Sequence, residues 1–299
     1  MKTTQDIEEV CDCSEQSMKK IRFKLKKRFI FLAGGIILTG VFLFVAVDHE
    51  LSVTYYTFRS DKIEQPFRVV LLADLHSHLY GKEQEILIEE ITRQNPDLIL
   101  MAGDIADNRV RHTGTIKLLE GIADKYPCFY VTGNHEIKGS KSGSPKDIFI
   151  GYGVSVLDGK NEVVSVNGQL INICGADDPS VGREQLNSAF SDIDNSLLTL
   201  FLYHRPERFE QVSVYEFDLM LAGHVHGGQW RIPYIVDGIY SPNQGLFPKY
   251  TAGMYVEFNR TMIISRGLAL NSGLIPRIFN PPEIVVIDII PSYNNGEEA

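Results

Sequence analysis

The sequence predicts an α/β protein built on a largely parallel sheet, and three observations carry that reading. Apolar runs alternate with amphipathic stretches between residues 67 and 132, the order that strand–helix–strand units produce. Each apolar run ends on polar residues rich in Asp, His and Asn, where ligands bind in open α/β sheets. With 44% hydrophobic and 22% charged residues, the composition is that of an ordinary folded globular chain.

Lys19, Lys20, Arg22, Lys24, Lys26, Lys27 and Arg28 form a basic cluster, and residues 29–47 follow without a charge. As a helix that run spans about 28 Å, close to the roughly 30 Å hydrocarbon core of a bilayer. It reads as a transmembrane helix. Basic residues before a span stay in the cytoplasm. The expected localisation is therefore the cell membrane, single-pass, with residues 1–28 cytoplasmic and the folded domain extracytoplasmic. Val45-Ala-Val47 is a poor cleavage site, which favours an uncleaved anchor over a signal peptide. The net charge is -9 despite the basic cluster. The rest of the chain is thus acidic, unlike a nucleic-acid binder, which needs a basic face.

Residues 48–66 are mixed and polar and read as a linker. Phe67-Arg-Val-Val-Leu-Leu-Ala73 reads as a buried strand, followed at once by Asp74-Leu-His-Ser-His78. Residues 82–94 carry Ile86, Leu87 and Ile91 at helical spacing. A second strand over 97–102 runs into Gly103-Asp104, a helix is expected over 113–125, and a third strand over 127–132 runs into Gly133-Asn-His-Glu136. Residues 137–153 are Gly/Ser/Lys-rich and read as a loop with a short helix. Short strands are expected at 154–157, 162–166 and 170–174, and a helix at 182–190. A buried strand over 197–203 ends at His204-Arg-Pro-Glu207, and one over 217–222 ends at Gly223-His-Val-His226-Gly-Gly228. A hairpin over 254–265 and a strand over 283–290 close the domain, leaving residues 291–299 as a tail. Four cysteines in this length form no disulfide framework. Cys128 and Cys174 sit in apolar runs and read as buried thiols.

Of the eight histidines, His76, His135, His204, His224 and His226 fall at strand ends. In an extended backbone the side chains of His224 and His226 would point opposite ways. Gly223, Gly227 and Gly228 permit a tight loop in which both imidazoles face one cavity. With Asp74, Asp104 and Asn134 they make a donor set of oxygen and nitrogen without thiolate. That set suits two harder divalent ions such as manganese, iron or zinc rather than a structural zinc.

The blocks Asp74-x-His76, Gly103-Asp104, Gly133-Asn-His-Glu136, His204 and Gly223-His-x-His226, in this order, resemble the calcineurin-like metallophosphoesterase superfamily. His204-Arg-Pro-Glu207, Tyr250-Thr-Ala-Gly-Met-Tyr255, Ser265-Arg-Gly267 and Pro282-Glu-Ile284 resemble its YkuE-like membrane-associated branch. The resemblance implies a four-layer α/β/β/α sandwich over residues 67–290, preceded by the transmembrane helix. It implies that Asp74, His76 and His226 hold one metal, that Asn134, His204 and His224 hold a second, and that Asp104 is shared. His135 is then not a ligand but faces the scissile phosphate. Asp107 orients it, or else merely caps a helix. Asn108 stands where the resemblance implies Arg, with Arg109 as the available substitute. Arg205 and His78 are candidate substrate contacts, the first otherwise pairing with an acid and the second otherwise a rim residue. Glu136 reads as a supporting or surface residue, and Asp177 and Asp178 as turn acids.

The function these readings imply is a membrane-anchored hydrolase of phosphodiester or phosphoanhydride bonds, using a water activated by two ions. Its partners would be a phosphate-ester substrate, with a phospholipid or lipid-linked one as an option, and the bilayer. The alternative is a catalytically silent membrane receptor or scaffold that retains the fold.

Overall fold

The structure, a computed structural model, describes residues 4–47, 50–137, 145–272 and 275–292. The chain divides into two compact units, Met1–Val47 and Asp48–Ala299. The first holds one helix, α1 (Thr4–Ala46). Among the described residues no helix is long and apolar enough to cross a membrane. This overturns the single-pass span expected over residues 29–47, and with it the cytoplasmic N-terminus and the extracytoplasmic domain. The uncharged run is not an element of its own. It is the last part of a 43-residue helix that also carries the acidic start and the basic cluster.

The second unit opens with β1 (Ser52–Ser60), inside the stretch expected to be a linker. Its Thr, Tyr, Phe and Val residues favour a pleated, half-buried edge. The strands that follow are β2 (Phe67–Leu72), β3 (Leu98–Ala102), β4 (Cys128–Val131) and β5 (Ser155–Val156), interleaved with the helices α2 (Glu85–Gln94), α3 (Thr113–Ile122), α4 (Asn134–Ile137) and α5 (Pro145–Gly151). Next come β6 (Lys160–Val166), β7 (Gln169–Gly175), α6 (Glu184–Ala189), β8 (Leu198–Leu202), α7 (Phe209–Val212) and β9 (Leu219–Ala222). The small hairpin β10 (Tyr240–Ser241) and β11 (Gly245–Leu246) precedes β12 (Gly253–Glu257) and β13 (Arg260–Ile264). The short pair β14 (Asn271–Ser272) and β15 (Ile275–Pro276) leads to β16 (Glu283–Pro291). Of the loop expected over 137–153, residues 138–144 lie outside the described residues, as do 293–299 of the expected tail.

Two six-stranded sheets result, ordered β1-β16-β2-β3-β4-β5 and β12-β13-β9-β8-β7-β6. Strands β2 to β5 run parallel in the first sheet, and β7, β8, β9 and β13 run parallel in the second. Strand β1 joins the edge of the first sheet by pairing parallel with β16, from Ser52 opposite Glu283 to Ser60 opposite Pro291.

Alternation along each strand sets the layers. Leu71, Leu100 and Val131 of the first sheet share one buried cluster with Ile173, Leu200 and Leu221 of the second. On the other face of the first sheet, Val70, Leu72 and Met101 pack with Leu87 and Ile91 of α2 and Leu118 and Ile122 of α3. On the other face of the second, Phe201 and Met220 pack with Leu186 of α6 and Phe209 of α7. The central strands are covered on both faces, so they read as unbroken apolar runs rather than alternating ones.

Candidate metal centre

The C-terminal ends of β2, β3, β4, β8 and β9 bring Asp74, His76, Asp104, Asn134, His204, His224 and His226 together. The loops that do this are locally strained. Asp74, His76, Asp104, His224 and His226 have φ values of 52°, 49°, 52°, 74° and 47°, a left-handed region that residues other than glycine seldom occupy. Hydrogen bonds between loops hold them there. Asp74 N–H donates to Gly103 O (3.0 Å) and His76 N–H to Asp104 O (2.9 Å). The carboxylate of Asp74 accepts the His224 N–H (2.9 Å), and Asp104 Oδ1 accepts that of His135 (2.8 Å). Gly227 (φ 62°) and Gly228 (φ 71°) complete the turn after His226. A Cβ on Gly228 would meet Gly238 Cα at 2.5 Å.

The side chains form three sets whose donor atoms lie within 4.8 Å of one another: Asp74, His76 and His226; Asp104, His204 and His224; and His76, Asp107 and His135. Asp104 Oδ2 stands between the first two, 3.7 Å from His76 Nε2 and 3.3 Å from His204 Nε2. His204 Nδ1 is 2.7 Å from the carbonyl of Ala102. A carbonyl only accepts, so Nδ1 carries the proton, and Nε2 is left facing Asp104.

Burial and neighbouring charges compete in setting the charge states. Burial keeps His224 and His226 well below the usual histidine range, hence neutral, the form that ligates metals. It also raises the Asp74 carboxyl. At Asp104 burial is overridden by His204, His76 and His135, and the carboxyl stays well below its usual range. The same carboxylate outweighs burial at His204 and lifts it to about 10.

Divalent cations fit this donor set. Asn134 Oδ1, His204 Nε2 and His226 Nδ1 are buried without a hydrogen-bond partner among the described residues. The 3.3 Å approach of His204 Nε2 to Asp104 lacks hydrogen-bond alignment. Unmade buried polar bonds are costly, and a cation held by Asn134 and His204 would give both of their atoms a partner.

A cleft of about 170 Å³ opens over the cluster, lined by Asp104, Asn134, His135, Arg205, His224, His226, Pro242 and Asn243. His135 Nδ1 lies 3.1 Å from Asp107 Oδ2, which also reaches His76 Nδ1 at 3.3 Å. Burial pushes the Asp107 carboxyl up, but hydrogen bonds from His135, His76 and Arg109 hold it well below the usual range. Asp107 therefore touches the imidazole it was expected to orient. Arg109 is turned onto Asp107, with Nη2 at 2.6 Å from Oδ2, and Asn108 donates to the Glu136 carbonyl (2.7 Å). Arg205 lines the cleft but is only 7% exposed. Its Nε donates to Asp178 and its Nη1 to His224 Nε2 at 3.0 Å. His78 is not brought to the cleft. It stacks edge-on against Tyr80, with ring centroids 5.4 Å apart.

Three further residues matter here. Glu136 is buried, and burial together with nearby Asp104 raises its carboxyl to about 8. It accepts backbone N–H groups from Asp104 (2.8 Å), Gly133 (2.7 Å) and Ala106 (2.9 Å), tying together the loops after β3 and β4. Asp178 anchors Arg205. It follows β7, so the strand-end pattern that picks out the other acids also marks it. Asn243 sits in a Pro-Asn-Gln-Gly turn, a signal of backbone shape without any of chemistry.

The comparisons with known proteins agree with this geometry. The chain is 29% identical over 286 residues to the metallophosphoesterase YkuE of Bacillus subtilis (strain 168), covering 91% of this chain and 99% of that one. It is 28% identical over 235 residues to the phosphodiesterase YaeI of Escherichia coli (strain K12), covering 75% and 83%. The family model for calcineurin-like phosphoesterases matches residues 67–228, which span the motifs from Asp74 to His226. The chain belongs to the calcineurin-like phosphoesterase family, whose members include metal-dependent hydrolases of phosphoric esters, and within it resembles the YkuE-like branch.

Proposed function

We propose that the protein hydrolyses phosphodiesters at a centre for two divalent cations. The observation that carries this is the pair of donor sets Asp74/His76/His226 and Asp104/His204/His224 meeting at Asp104 beneath one cleft. Asp74, His76 and His226 would hold one cation, Asn134, His204 and His224 the other, and Asp104 both. Manganese, zinc and iron suit these donors. Bound there, such ions supply Lewis-acid polarisation of phosphoryl oxygens and a water acidic enough to attack near neutral pH.

The protein's own groups do the rest. Water oxygen forms the new P–O bond and gives up a proton to solvent, the ester P–O bond opposite breaks, and the leaving oxygen takes a proton. His135 lines the cleft and gives that proton through Nε2, its Nδ1 being held by Asp107. Asp107 is a positioning residue. The relative YaeI, named a phosphodiesterase, supports diesters over monoesters. The idea of a lipid-linked substrate rested on a membrane span and takes no support from the N-terminal helix.

The test uses the full chain, stripped of metal and reloaded with manganese, zinc or iron. Bis-p-nitrophenyl phosphate and p-nitrophenyl phosphate are compared, beside Asp104→Asn and His135→Ala. Diester turnover that returns with metal and collapses in both variants is expected. Turnover that survives chelation, or that both variants retain, would sink the reading.

A further inference from the structure

The segment after the His226 turn is oddly apolar for a surface. Ile235 is 78% exposed, Leu246 and Phe247 are each 69% exposed, and Tyr234 is wholly exposed. Trp230 and Tyr240 are partly exposed beside them. Tyr240 pairs directly with Leu246 across the β10/β11 hairpin, which places their side chains on one face. Phe247 N–H donates to Ile239 O, and Ile239 N–H to both Gly228 O and Trp230 O, so the segment is folded onto the metal-site turn. Between residues 230 and 248 the charged residues are Arg231 and Asp237, which pair with each other at 3.3 Å.

The backbone is held against preference as well. Tyr234 and Phe247 sit at φ 67° and 52°, a conformation that bulky residues rarely adopt. Neither gains burial in return. Strain and exposed apolar area in one place mark a surface with a use.

What covers it follows from where it leads. Pro242 and Asn243, the turn joining β10 to β11, line the cleft itself. An occupant spanning cleft and hairpin has a phosphoryl group at one end and an apolar group at the other. We infer that the substrate is an amphiphilic phosphoric ester whose apolar chain lies on the apron formed by residues 230–247. This rests on the phosphoesterase reading above and narrows its substrate class.

The apron carries its own reporter, because Trp230 is the single tryptophan of the chain. The metal-loaded full chain is titrated with monoalkyl phosphates of increasing chain length, below their micelle concentrations, and Trp230 emission is followed. The expected result is a blue shift and a Kd that falls about two- to fourfold per added methylene. In the double variant Ile235→Ser, Leu246→Ser, that dependence flattens, while turnover of bis-p-nitrophenyl phosphate stays within about twofold of wild type. A Kd independent of chain length, or a dependence unchanged in the variant, overturns the inference. So does a wild-type dimer in sedimentation that the variant dissolves without any chain-length effect, since a second copy would then cover the apron. Binding is read without turnover, so absent diester hydrolysis would count against the phosphoesterase reading, while the apron stands or falls on Kd alone.

Discussion

Asp107 Oδ2 stands 3.1 Å from Nδ1 of His135, and Arg109 donates to both oxygens of that carboxylate. An anion there fixes the orientation of the imidazole, as a group serving the leaving oxygen requires. Asp107→Asn is expected to lower kcat about 10- to 100-fold. Steady-state kinetics check this. The loss should fall on kcat with KM little changed, because Asp107 touches the imidazole and does not line the cleft. A loss confined to KM, or none, would assign Asp107 a merely structural part.

Glu136 offers a separate test, because it acts on backbone alone. Glu136→Ala leaves the N–H groups of Asp104, Ala106 and Gly133 without their acceptor. Each unsatisfied buried donor costs about 1–3 kcal/mol. A loss of roughly 3 kcal/mol or more is expected in denaturant unfolding, with weaker metal binding, since Asp104 and Asn134 sit on the loops released. Glu136→Gln keeps one acceptor and should fall between.

Cation removal should cost stability as well as activity. Among the described residues, buried Asn134 Oδ1 and His204 Nε2 have no hydrogen-bond partner, and a cation would supply one. Reloading at a hundredfold excess over Kd is expected to stabilise by about 2.7 kcal/mol per ion. Thermal melts of stripped and reloaded protein read the shift, and equal Tm values would contradict the assigned donors.

The Asp178–Arg205 pair predicts an acid-side dependence. Burial raises the Asp178 carboxyl, but Arg205 and Ser180 override it, and its folded pKa is depressed. A depressed acid contributes stability that is full above its unfolded pKa of about 3.9 and is lost as pH falls through the folded value. Asp178→Asn should therefore lower Tm at pH 7, with the gap to wild type closing below about pH 4. A constant gap across that window would place the stabilisation elsewhere.

Much of this molecule is legible in the order of its residues. Apolar runs ending at Asp74, Asp104, Asn134, His204 and His224 announce parallel strands, and parallel strands gather their C-terminal ends on one edge. Histidine and carboxylate identity then names the chemistry, because few side chains hold divalent ions. Partner choice is another matter. Strand β1 looks like a linker until β16, more than two hundred residues later, supplies its ladder. Residues 29–47 look like an independent span until the helix is seen to continue from Thr4. Glu136, Asp178 and Asn243 acquire meaning from loops that approach them in space. Local pattern records periodicity and polarity, which each segment carries by itself. Which donor meets which acceptor is set by contacts between distant segments, and only the packed tertiary structure decides them.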